Sequence, residues 1–92
     1  MNKRTRTSNN PPVRTSDIHC LGVFRAVVDC NGVSLAATKL NVDVSTVSRQ
    51  LKDLEIRLGL RLCDRGRGGF SMTKEGESVY RLACDLLRTI ED

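Results

Sequence analysis

The chain has 92 residues, enough for one domain with a thin core. Its aromatics are Phe24, Phe70 and Tyr80, so the core must come from Leu, Val, Ile and Ala, which favours close helix packing. The formal charge is +4, and Lys3, Arg4, Arg6 and Arg14 alone account for it; Cys20, Cys30, Cys63 and Cys84 form no C-x-x-C pair and His19 has no second His, which excludes zinc spacing.

Residues 1–16 are polar and basic and contain Pro11-Pro12. They cannot offset the entropy of ordering by burial and read as a flexible basic arm. The simplest role for it is none; the sharper one is contact with phosphates or the minor groove of a duplex. Asp17 is the expected N-cap of a first helix, in which Ile18, Leu21, Phe24, Val27 and Val28 recur at helical spacing. Asn31-Gly32 stops it, Gly32 being suited to a left-handed C-terminal turn. Ser34 is the expected cap of a short second helix over 35–40, with small Ala36 and Ala37 and Leu40 as its apolar anchor. Asn41-Val42-Asp43 makes a tight turn. A third helix follows, capped by Asp43 and ended by Gly59, with one apolar stripe at Val47, Leu51, Leu54 and Leu58.

The alternating run from Leu60 to Arg65, the turn Gly66-Arg67-Gly68-Gly69 and the short strand Phe70-Ser71-Met72 predict a β-hairpin. Thr73 caps a last helix with acidic Glu75 and Glu77 in its first turn and an apolar stripe at Val79, Ala83, Leu86 and Ile90. The expected fold is therefore mainly α: a winged helix-turn-helix, with a three-helix core and a two-stranded β-wing over 17–73. A long C-terminal linker or dimerisation helix follows over 74–92.

Two helices joined by a short turn are the arrangement in which the second helix enters the major groove, N-terminal residues first. The packing asks for a small residue at the approach, Ala37, and a buried anchor early in the second helix, Val47. With Val47 at the centre of the buried stripe, Ser45, Arg49 and Lys52 fall about 140° to 200° away, flanked by Thr46 and Ser48. That face carries hydroxyls and cations and no carboxylate. Hydroxyls bond bases or phosphates, and Arg pairs with guanine or phosphate. Between Val44 and Lys74 seven basic residues (Arg49, Lys52, Arg57, Arg61, Arg65, Arg67, Lys74) face three acidic ones (Asp53, Glu55, Asp64). Arg65 and Arg67 flank the glycine-rich wing tip, which suits the backbone or the minor groove. Ile56, roughly opposite the buried stripe, is expected to be exposed.

The stretch from Ala36 to Leu51, with Leu54-Glu55, Leu58-Gly59-Leu60-Arg61-Leu62, Arg65 and Met72-Thr73-Lys74-Glu75-Gly76, resembles the N-terminal domain of LysR-type transcription regulators. The similarity spans about 17–92. It implies sequence-specific binding of double-stranded DNA, with Ser45, Thr46, Ser48 and Arg49 at bases and phosphates and Lys52, Arg65, Arg67 and Thr73 mainly at phosphates. It also implies a homodimer through Val79, Ala83, Leu86 and Ile90 on the last helix, and a small-molecule effector sensed by a C-terminal domain that these 92 residues do not contain. Where the family commonly has Gln and often Pro, this chain has Val44 and Ser45, and Cys63 stands where a Phe is usual. No cofactor, metal site or enzymatic activity is expected, and with neither a secretory leader nor a membrane run the location expected is the bacterial cytoplasm, at the nucleoid. The competing function is a winged helix that binds a protein partner and no DNA.

Overall fold

The computed structural model describes residues 15–66 and 69–91. They form α1 (Thr15–Asp29), α2 (Val33–Leu40), α3 (Val44–Leu58), β1 (Cys63–Gly66), β2 (Gly69–Met72) and α4 (Lys74–Glu91). Residues 1–14, where the basic arm is expected, and the wing-tip residues Arg67 and Gly68 lie outside the described residues. The architecture is the expected winged helix-turn-helix: α1 packs on α2, α3 and α4, α2 packs on α3, and β1 pairs antiparallel with β2.

The helices α1, α2 and α3 end in the same way. Asn31, Asn41 and Gly59 adopt positive φ of 58°, 59° and 68°. The next N–H then reaches back to a carbonyl in the last turn: Gly32 to Val27, Val42 to Ala37, Leu60 to Glu55, at 2.9, 3.0 and 3.1 Å. This satisfies carbonyls that the helix end would otherwise leave unbonded. After α1 it is thus Asn31, rather than Gly32, that takes the left-handed position, and Gly32 becomes the N-cap of α2. Ser34 is consequently inside α2 instead of capping it. Likewise α1 begins at Thr15, so Asp17 lies in its first turn.

Phe24, Val27, Val47, Leu51 and Leu62 are the largest fully buried side chains. Val23 and Ala26 join them because α1 touches three other helices and needs a broader apolar face than one stripe supplies. Leu40 and Leu58, expected inside, are 37% and 42% exposed. Two-turn α2 buries only Ala36 and Ala37, and beyond Leu54 the core is completed by Leu62 and Cys63, which return after the Gly59 turn. In the hairpin Cys63 pairs with Met72 and Arg65 with Phe70; Phe70 and Met72 are half-buried against the core, while Gly69 and Ser71 are exposed. All four cysteines are free thiols, Cys63 buried and the others half-buried.

Candidate nucleic-acid interface

Val47, Leu51 and Leu54 bury one side of α3 against α1 and α2. About two turns of buried stripe leave the other side outward, and Ser45, Arg49 and Lys52 are exposed there, with Thr46 and Ser48 half-buried at its flanks. Val44, the first residue of α3, is 44% exposed, and Ile56 is 70% exposed, as its place opposite the stripe requires. Asp43 occupies the N-cap in extended conformation, but its side chain makes no capping hydrogen bond, nor is there a side-chain cap at Gly32 for α2. Both helix starts therefore keep backbone donors and the positive end of the helix dipole open to an anion.

Three polar ties fix the frame of the site, two on α3 and one between the wing and α4. The Arg57 guanidinium donates to Asp17 Oδ2 at 3.0 Å, joining the last turns of α3 to the start of α1 with both side chains largely shielded. The Glu55 carboxylate accepts the backbone N–H of Leu62 at 2.8 Å and that of Cys63 at 3.4 Å. This fixes where the chain leaves α3 and enters the wing. Such charge-assisted bonds are stronger than neutral ones. Glu55 falls within the family-like stretch of the sequence, yet nothing local announces its role: its partners lie beyond a turn.

The third tie joins wing to α4. Thr73 N–H donates to Leu62 O at 3.0 Å, and the Thr73 hydroxyl donates to Arg61 O and accepts from Gly76 N–H at 2.9 Å. Thr73 is thus the cap of α4, as the sequence indicates, and its hydroxyl is already engaged on both sides. That argues against the further role at phosphate expected for it. A Cβ on Gly76 would stand 1.9 Å from the Leu62 carbonyl oxygen, so only glycine allows this approach. Arg61 and Asp64 form an exposed ion pair at 3.0 Å. Of the wing arginines, Arg65 is placed in β1 by its backbone and Arg67 lies outside the described residues.

The apolar face of α4 divides. Ala83 and Leu87 are buried within the protomer and Val79 is half-buried, whereas Leu82, Leu86 and Ile90 are 68%, 38% and 54% exposed. Of the stripe expected at a dimer seam, Leu86 and Ile90 are available and Ala83 is covered. Burial, with lesser contributions from Asp53 and Asp17, raises the pKa of the Cys20 thiol between α1 and α3. A raised pKa favours the protonated thiol. No described helix is long and apolar enough to cross a membrane.

Known proteins share this arrangement. The pattern of bacterial regulatory helix-turn-helix proteins of the lysR family matches residues 18–77. The transcriptional activator BauR of Pseudomonas aeruginosa is 44% identical over 87 residues, covering 91% of this chain and 28% of BauR. The regulator BenM of Acinetobacter baylyi is 35% identical over 75 residues, 82% of this chain and 25% of BenM. The chain thus spans about a quarter of the length of these relatives. The BenM DNA-binding domain in complex with catB site 1 DNA superposes with a TM-score of 0.78 at 35% identity, covering 80% of this chain and 83% of that one. The CbnR DNA-binding domain in complex with DNA gives 0.77 at 28% identity, covering 80% and 85%. With its helix-turn-helix, wing and capped last helix all in family order, this chain belongs to the lysR family of bacterial regulatory helix-turn-helix proteins and has the fold of that family's DNA-binding domain.

Proposed function

We propose that this chain binds double-stranded DNA sequence-specifically, with α3 in the major groove and the wing against the backbone or the minor groove, as the reading head of a transcription regulator. The observation that carries this is the outward face of α3: Ser45, Arg49 and Lys52 stand exposed on a helix whose opposite side is locked to α1 and α2. A helix held so rigidly presents the same atoms to every duplex, which sequence reading requires. Ser45, Thr46, Ser48 and Arg49 meet base edges and phosphates, and Lys52, Arg65 and Arg67 meet phosphates. Arg49→Ala, measured on a duplex selected in vitro by the wild-type chain, is expected to cost about 1–3 kcal/mol of binding if Arg49 pairs with a guanine. Unchanged affinity would remove α3 from the interface.

The same reading makes the protein a homodimer through the exposed edge of α4. Leu82, Leu86 and Ile90 follow one another at four-residue spacing and form a strip that a second copy can cover. A small-molecule effector, on this reading, is sensed outside these 92 residues, and the protein works in the cytoplasm where the DNA is.

A further inference from the structure

We propose that Val44 is a specificity-determining residue, recognising the C5-methyl group of a thymine beside the bases contacted by Ser45 and Arg49. The inference rests on the reading of α3 as the helix that enters the major groove. Val44 opens α3 and is 44% exposed, next to the 43% exposed Val42 on the other side of Asp43. The core has no use for it, since Val47, Leu51 and Leu54 supply the buried side of this helix. Neither does helix formation: a β-branched residue is among the weaker helix formers, and the first turn favours polar or acidic side chains. At four-residue spacing Val44 heads the row Val44, Ser48, Lys52, which runs alongside Ser45 and Arg49. A recognition helix brings its N-terminal turn closest to the bases, so Val44 is carried toward base edges with the hydroxyls behind it.

Base edges in the major groove offer hydrogen-bond donors, acceptors and one apolar group, the thymine methyl. A valine has no donor or acceptor. Against guanine, adenine or cytosine it strips water from a polar edge and returns no hydrogen bond. Against thymine it can bury the C5-methyl group while O4 stays open to water or a neighbouring donor. The residue therefore selects by apolar contact alone, and 5-methylcytosine, which carries the same methyl group, is the other base it accepts.

The experiment starts from duplexes enriched from a random library by the 92-residue chain, with each thymine of the enriched site then replaced singly by deoxyuridine. Removing the one methyl that faces Val44 should weaken wild-type binding about fourfold, the worth of one buried methylene-sized group. In Val44→Ser that replacement should change affinity less than about twofold, because the apolar contact is already gone. At that position a 5-methylcytosine–guanine pair should bind wild type more tightly than cytosine–guanine by a similar factor. Thermal melting of Val44→Ser close to wild type verifies the fold, as expected for an exposed first-turn residue. If every deoxyuridine replacement is neutral for wild type, or if the penalty persists unchanged in Val44→Ser, the proposal is overturned while α3 remains the reading helix. If the folded chain enriches no duplex at all, the reading of α3 falls with it.

Discussion

Tyr80 is the only tyrosine in the chain, and its hydroxyl donates to Asp29 Oδ1 at 2.6 Å, tying α4 to the end of α1. That hydrogen bond, with a further one to Cys84, raises the phenol pKa above its ordinary value of 10. A raised pKa means that the folded state holds its proton where the unfolded chain has lost it. The associated stability is complete below the unfolded value and declines as pH rises through the folded one. Ultraviolet titration should therefore show no phenolate as the folded protein passes the pH at which a free tyrosine ionises, and Tyr80→Phe should flatten the alkaline fall in stability. A phenolate signal at the ordinary pH, with the protein still folded, would mean the bond to Asp29 does not persist in solution. Residues of this kind were not legible in the sequence, because Tyr80 and Asp29 lie 51 positions apart and neither carries a local signature. Ser45, Arg49 and Lys52 were legible, since exposure on a helix follows from the angle to the buried stripe.

The helices themselves were legible, but their ends only in part: Asp17 lies inside the first turn of α1, Asn31 in place of Gly32 takes the left-handed turn, and Ser34 lies inside α2. For α3 the Asp43 cap and the Gly59 stop set the bounds from Val44 to Leu58, and the structure adds positive φ at Asn41 and Gly59. Burial at element ends was read less well, since it depends on what the chain brings back: Leu62 and Cys63 complete the core beyond Leu54, and Leu58 stays outside. The docking of α4 is the sharpest case. Gly76 belongs to the first turn of that helix by any local criterion, but its lack of a side chain is set by the Leu62 carbonyl 14 residues earlier. Gly76→Ala should destabilise the fold by about 3 kcal/mol or more, because the obstruction is backbone and cannot swing aside. A thermal melt within about 1 kcal/mol of wild type would show that α4 can stand off from the wing at little cost.

Charge and apolar surface concentrate on different elements, although Val44 and Ile56 leave apolar surface on α3 as well. Cations collect on α3 and, in sequence, at the wing, whereas the exposed Leu82, Leu86 and Ile90 lie along α4. One surface suits a polyanion and the other a second copy of the chain. Because the two surfaces lie on different elements, each can be removed alone. Leu86→Glu should yield a monomer in sedimentation equilibrium, with the helical fold retained by circular dichroism; an unchanged dimer would place the seam elsewhere. The layout of reading helix, wing and last helix was visible in the order of elements along the chain. The division of α4 into a covered and an open edge was not, because Val79, Ala83, Leu86 and Ile90 look alike in period and only the packing against α1 distinguishes them.

The most direct test of a DNA-reading surface is fluorescence anisotropy of the 92-residue chain with a labelled random-sequence duplex at graded salt. If Arg49, Lys52, Arg65 and Arg67 each neutralise one phosphate, affinity should fall on the order of a hundredfold between about 50 and 200 mM salt, through counterion release. A folded chain that binds no duplex even at low salt would contradict that surface's role and leave the winged helix as a protein-binding module.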